Sequence, residues 1–150
     1  MYKIKKFEDR YNKQVNDFII SILVDEFRFE ECRKELEEQD NFEYIKAGGS
    51  FWIAVDENDN IIGTIGLRKY NDKEAELKKL YVRKDYRGKG LSKELYNIMI
   101  KKSLDDKLNR IFLGTYEELD VAIKFYLKRG FVQKEKLDEE NGARYFELYI

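Results

Sequence analysis

Leu80-Tyr81-Val82-Arg83-Lys84-Asp85-Tyr86-Arg87-Gly88-Lys89-Gly90-Leu91-Ser92-Lys93 is the stretch that decides how the 150-residue chain is read. It places an apolar strand end, a basic loop with two glycines and a helix start in direct succession. The first N–H groups of a helix have no partner inside it and sit at the positive end of its dipole. A junction of this kind is therefore a pocket for anionic oxygens. Gly88 and Gly90 let the main chain approach a ligand closely, and Arg87, Lys89 and Lys93 add positive charge. A pyrophosphate fits that description. A Walker loop does not, because it needs a longer glycine spacing and a closing Lys-Ser or Lys-Thr. A dinucleotide fingerprint fits poorly, because its third glycine is missing and the strand belongs to a meander. Taken alone, Gly-x-Gly between strand and helix is also what a tight turn looks like.

Working outward, the strand over residues 74–82 carries a defect. Ala75 and Leu77 alternate with Glu76 and Lys78, but Leu80, Tyr81 and Val82 are all apolar. Either the strand end is buried on both faces or a bulge resets the alternation. Strict alternation puts Glu76 on the face of Leu80 and Val82. Upstream, Phe51, Ile53 and Val55 share one side of a strand over 50–55. After a turn-forming stretch over 56–60, Ile61, Ile65 and Leu67 share a side of a strand over 61–69. Still earlier, residues 1–7 read as a short strand. Val15, Phe18, Ile19, Ile22, Leu23 and Phe27 recur at helical steps through residues 11–29, and 31–40 reads as a second, highly charged helix.

Downstream, residues 91–106 read as a helix, 111–115 as a strand, and 119–129 as a helix that is acidic at its start and basic at its end, with Gly130 as its cap. Two strands close the chain, over 131–136 and 143–150, with Asn141-Gly142 as a hairpin signal between them. The order predicts an α+β fold: a mostly antiparallel sheet of six to seven strands flanked by about four helices, in one domain over residues 1–150.

Composition narrows the chemistry. Lys plus Arg number 29 and Asp plus Glu 30, a net charge of −1 that argues against nucleic acid or an anionic membrane as partner. There is no histidine, which removes histidine bases, triads and histidine metal sites. Cys32 is the one cysteine, so no internal disulfide forms and a thiolate metal site is not expected. Its charged surroundings make it an incidental thiol rather than a nucleophile, away from the cofactor cleft. No apolar run is long enough to span a bilayer and the first residues do not resemble a signal peptide, so a cytoplasmic location is expected.

The motifs together resemble those of the GNAT superfamily of N-acetyltransferases. Leu80-Tyr81-Val82 followed by Tyr86-Arg87-Gly88-Lys89-Gly90-Leu91 looks like that family's acetyl-CoA motif, with Arg87, Gly90 and Ser92 in its three defining places. Ser92 departs from the usual Gly or Ala. Phe125-Tyr126-Leu127-Lys128-Arg129-Gly130-Phe131 resembles the family's later helix, and the segments Phe51-Trp52-Ile53-Ala54-Val55 and Ile62-Gly63-Thr64-Ile65-Gly66-Leu67 resemble its central hairpin. The likeness covers residues 50–131 in order and the two ends more weakly. Leu119 stands where many relatives carry a cofactor-contacting Asn.

The resemblance implies an acetyl-CoA-dependent N-acyltransferase, without a metal. It implies a pyrophosphate on the amides of Gly88, Lys89, Gly90, Leu91 and Ser92, with Arg87 and Lys93 beside it. It also implies a pantetheine arm along Leu80, Tyr81 and Val82, and Tyr126 as the acid for the departing sulfur. Glu76, six residues before Val82, is the candidate base, acting through water, and Glu74 is a weaker substitute. Without a nucleophilic cysteine, direct transfer in a ternary complex is expected. The acceptor reads as a small-molecule amine, with a protein lysine or N-terminus, or a coenzyme-binding sensor without catalysis, as alternatives. The assembly reads as a monomer or homodimer.

Overall fold

A computed structural model of the chain describes residues 1–134 and 142–150. Seven strands form one sheet in the order β1-β2-β3-β4-β5-β7-β6. They are β1 (Tyr2–Lys6), β2 (Ser50–Asp56), β3 (Ile61–Lys69), β4 (Glu74–Val82), β5 (Arg110–Tyr116), β6 (Val132–Gln133) and β7 (Ala143–Tyr149). Every neighbouring pair is antiparallel except β4 and β5, which are parallel and joined by a helical crossover. The helices are α1 (Asn12–Ile20), α2 (Arg33–Glu38), α3 (Glu43–Lys46), α4 (Leu91–Asp105) and α5 (Asp120–Lys128). The expected α+β class and mostly antiparallel sheet are what the structure has. The Asn141-Gly142 hairpin signal falls partly outside the described residues.

The sheet separates two apolar clusters. On one face α4 and α5 bury Leu91, Leu95, Met99, Ile123 and Tyr126 against Ile65, Leu67, Ala75, Leu77, Ile111 and Phe146. On the other, α1 to α3 bury Tyr11, Val15, Ile19 and Tyr44 against Phe51, Ile53 and Val55. Gly63 allows α4 to lie close to β3: a Cβ there would meet Leu95 Cδ1 at 3.1 Å and Leu91 Cδ2 at 3.3 Å. That contact sets the height at which the N-terminus of α4 stands over the end of β4.

The first helical region departs from its periodicity. The apolar pattern predicts one helix over 11–29, but α1 ends at Ile20, a π-helical turn follows over Ser21–Glu26, and Arg28 adopts φ +67°. A left-handed residue stops a helix, and arginine gives no sign in the sequence that it will do so. The charged second helix shrinks to α2, preceded by a 3₁₀ turn over Glu30–Cys32, and the four-residue α3 is too short to show a period. Ile61 lies in the α1-side cluster instead of sharing a face with Ile65 and Leu67. The cause is a register shift against β2, where Ala54 faces Gly63 but Val55 faces Ile61.

Candidate functional site

The defect read in β4 is a bulge. Thr64 of β3 faces Tyr81 and Gly66 faces Lys78, so Ile65 opposes both Lys79 and Leu80. Lys79 sits at φ +57°, in the left-handed region that a side chain rarely adopts. Its carbonyl accepts a 2.7 Å hydrogen bond from Thr64 Oγ1. A trans peptide holds a carbonyl and the next N–H on opposite sides. The N–H of Leu80 is therefore directed away from β3.

On that side the sheet has opened. Parallel pairing between β4 and β5 covers Glu74↔Arg110, Ala75↔Ile111 and Glu76↔Phe112 and then stops, while β5 continues along β7 through Tyr116↔Ala143. The last residues of β4 thus present a free strand edge to a wedge-shaped gap, with the Leu80 N–H in it. The bulge also re-sorts the side chains. Leu80 and Val82 pack with the α4-side cluster and Tyr81 with the α1-side cluster. Ala75 and Leu77 belong to the α4 side, so Glu76 shares the face of Tyr81, not that of Leu80 and Val82 as strict alternation had it.

At the mouth of the gap the chain turns through a 3₁₀ turn, Lys84–Tyr86, into Gly88 at φ +74° and Gly90 at φ +90°. Gly90 caps α4 without any side-chain hydrogen bond to the helix start. A Cβ on Gly88 or Gly90 would meet nothing within 4 Å. Open space, two left-handed residues and uncapped amides make an accessible cradle for an anion. Lys89 and Lys93 are exposed and form no ion pair with another described residue, whereas Leu91 is buried against Gly63 and Ser92 is half-buried in the first turn of α4.

Arg87, expected beside the anion, is held by groups of the protein itself. Its Nε donates to Val82 O at 2.8 Å, and its two terminal nitrogens donate to Glu26 at 2.6 and 2.9 Å. It braces the loop onto β4 and onto the π-helical turn. Arg87 in turn holds the Glu26 carboxyl below its ordinary pKa. No signal in the sequence pairs these two residues, which lie 61 positions apart.

Tyr126 projects from α5 into the α4-side core, 5.6 Å from Phe131 and 5.7 Å from Phe125 between ring centres. Burial pushes its phenol above its ordinary value, and burial followed by the field of Tyr126 does the same to Tyr81. The two phenols are neighbours across the gap. Glu76 is half-buried and ion-paired to Arg68 at 2.5 Å. Glu74 lies at the closed end of the gap, bound to Arg110 at 2.7 Å and to Asn71 at 2.7 Å, and those two bonds hold its carboxyl low. Leu119 is the N-cap residue of α5 and packs with the α1-side cluster.

Cys32 is nearer the gap than its charged neighbours suggest. Like Tyr81, Phe27 and Phe29 it packs against the α1-side cluster, its field reaches Tyr81 and Tyr116, and Phe29 lies 5.1 Å from the Tyr116 ring. Burial, then Glu31 and Glu35, push its thiol pKa up, so it is a poor thiolate. Beyond it Glu31, Lys34, Glu35, Glu38, Gln39 and Asp40 line a groove of about 500 Å³.

Known proteins share this fold. A family model described as Acetyltransferase (GNAT) family matches residues 16–131. The fold superimposes on an acetyltransferase of the GNAT family from Staphylococcus aureus MU50 with a TM-score of 0.88, at 28% identity over 99% of both chains. An acetyltransferase from Streptococcus agalactiae 2603 gives a TM-score of 0.85 at 26% identity, over 99% of this chain and 98% of that one. Among curated relatives, the N-acetylaspartate synthetase of Xenopus tropicalis is 34% identical over 90 residues, 59% of this chain and 33% of that protein. This chain thus spans about a third of that relative's length.

Proposed function

We propose, from the premise that this chain belongs to the GNAT acetyltransferase family, that it moves an acetyl group from acetyl-CoA to a primary amine of a small molecule, by direct transfer in a ternary complex. The observation that carries this reading is a single continuous feature. A free β4 edge with an inward N–H at Leu80 leads to an uncapped glycine cradle at the start of α4.

The residues present suit acetyl-CoA. The amides from Gly88 to Ser92, with Lys89 and Lys93, would hold the pyrophosphate, and the main chain of Leu80, Tyr81 and Val82 would pair with the pantetheine arm. When bound, the coenzyme supplies an activated acyl carbon on a thiolate leaving group. The Leu80 N–H is directed to polarise a carbonyl oxygen lying along the free edge. The Tyr126 hydroxyl, kept protonated by burial, holds the proton that a departing sulfur needs. Two groups of β4 on the acceptor side can take a proton from an amine, Glu76 and Lys79. The Cys32 thiol, with its raised pKa, supports direct transfer over an enzyme-bound acyl group.

The groove beside the gap supports the acceptor class. Its lining of four carboxylates against one lysine favours a cationic amine. Calorimetry with CoA and acetyl-CoA, followed by free-thiol release with L-aspartate, 1,4-diaminobutane and a lysine-containing peptide, tests the reading. Coenzyme uptake with thiol release on a small amine supports it. Release on the peptide alone moves the acceptor to proteins, uptake without release leaves a coenzyme sensor, and no uptake ends the acyl-transfer reading.

A further inference from the structure

Lys79 was not marked by any sequence motif, yet the fold treats it as a special residue. The bulge sends its main chain and its side chain to different places. The peptide that follows it offers the Leu80 N–H to the gap, while its amine turns to the α1 side and lies 5.4 Å from the Tyr44 ring. There it donates to Asn41 Oδ1 at 2.9 Å. Asn41 is 0% exposed, and its amide nitrogen donates to both Asn12 Oδ1 and Asn16 Oδ1 at 2.8 Å. The amide nitrogens of Asn12 and Asn16 are themselves bound to Gln39 O at 2.9 and 2.8 Å. This network fixes the Asn41 carbonyl oxygen as an acceptor aimed at Lys79.

The groups that face Lys79 leave it without a counterion. On β4 Lys78 is a like charge, on β3 Arg68 is another, and Arg68 also holds Glu76. On α3 Tyr44 is a neutral phenol, its pKa pushed up to about 12 by burial. On α2 Glu35 is the carboxylate whose field favours the charged amine, and no ion pair joins it to Lys79 among the described residues. Burial, followed by Lys78, outweighs Glu35 and lowers the Lys79 pKa to about 7.

We propose that Lys79 is the base that takes the proton from the acceptor ammonium, one residue before the N–H that faces the thioester site. This rests on the acyl-transfer reading of the gap. The neutral Lys79 amine accepts one proton from R–NH₃⁺, giving R–NH₂ and Lys79 ammonium. The amine nitrogen forms its bond to the acyl carbon as the carbon–sulfur bond breaks. Nitrogen then loses its second proton while sulfur gains one, and Lys79 returns its proton to water, so each turnover releases one proton net. Asn41 is a positioning residue that acts through Lys79.

The test is the pH dependence of kcat/KM with acetyl-CoA and whichever amine of the panel turns over, alongside CoA affinity by calorimetry. The intact protein should show an acid limb with its midpoint near 7, rising with pH as Lys79 loses its proton. Lys79→Met should remove that limb and lower kcat/KM by about a hundredfold or more, with CoA affinity within about threefold. Asn41→Asp should move the midpoint up by about one unit or more, since a carboxylate there favours the charged amine. Retention of both rate and limb in Lys79→Met, or an unmoved midpoint in Asn41→Asp, overturns the assignment while leaving acyl transfer intact. Absence of CoA uptake by the intact protein overturns the acyl-transfer reading itself. Should Lys79→Met fail to fold, ¹³C NMR of lysine-labelled protein decides, with the Lys79 signal identified by its loss in Lys79→Arg. Titration near 7 supports the assignment and titration above about 9 refutes it.

Discussion

Replacing Gly90 with alanine separates backbone cost from ligand exclusion. Gly90 has φ +90° and ψ −1°, and an added Cβ would touch nothing within 4 Å. The substitution therefore creates no clash, and its stability cost is that of forcing an L-residue into left-handed backbone, about 1–2 kcal/mol. For a chain of this size each kcal/mol lowers the melting temperature by about 2–4 °C, so a fall of roughly 2–8 °C is expected. The same Cβ would fill the cradle over the start of α4. Losing one charge-assisted hydrogen bond there costs about 1.5–3 kcal/mol, or roughly ten- to a hundredfold in coenzyme affinity. Gly142 provides the control: it has φ +70° and equally open surroundings, but it precedes β7 in the other half of the sheet and is not part of the loop that starts α4. Gly142→Ala should share the loss of stability and keep coenzyme affinity. Calorimetry and thermal melts on the two variants suffice, and unchanged CoA affinity in Gly90→Ala would refute the cradle.

Three further outcomes follow from the geometry. Tyr126→Phe should lower kcat by about ten- to a hundredfold with CoA affinity unchanged, because the ring packing against Phe125 and Phe131 stays and only the proton is lost; unaltered turnover removes the acid role. Glu26→Gln frees Arg87 and deletes a negative charge beside the cradle, so CoA should bind several-fold tighter, at a stability cost of about 1 kcal/mol for a half-exposed pair; weaker binding by calorimetry contradicts this. Because Lys79 has a folded pKa near 7, below its ordinary value, the unfolded chain binds more protons between about pH 7 and 10.5, and this group makes the fold more stable as pH rises through that window. Lys79→Met should therefore gain most over the parent below pH 7 in denaturant titrations and lose that advantage above pH 10.

Much of the fold was written locally. Alternation gave β2 and β4, the basic loop announced α4, and three consecutive apolar residues from Leu80 left two readings, a doubly buried strand end or a bulge, of which the fold has the bulge. The failures have physical reasons. A helical period continues through a π turn, so residues 21–28 looked like more of α1, and an arginine took the left-handed stop usually given to glycine. One extra residue near Ile62 flipped Ile61 to the other core. In the site, the glycines were singled out because motif and local geometry coincide at the start of α4, and Tyr126 was singled out by the family resemblance alone. Glu26, Asn41 and Lys79 were not, because each acquires its meaning from a partner 38 to 61 residues away. In sequence, Lys79 is one more cation in a Lys-Lys pair.

The parting of β4 from β5 has a mechanical consequence. Among the described residues, three residue pairs rivet the four-strand half of the sheet to the three-strand half, all at one end. The chain is built like a clothes peg, sprung at Glu74–Glu76 and open at Leu80–Val82. Whatever lodges as an extra strand between the jaws knits the halves into one slab, so occupancy and rigidity should rise together.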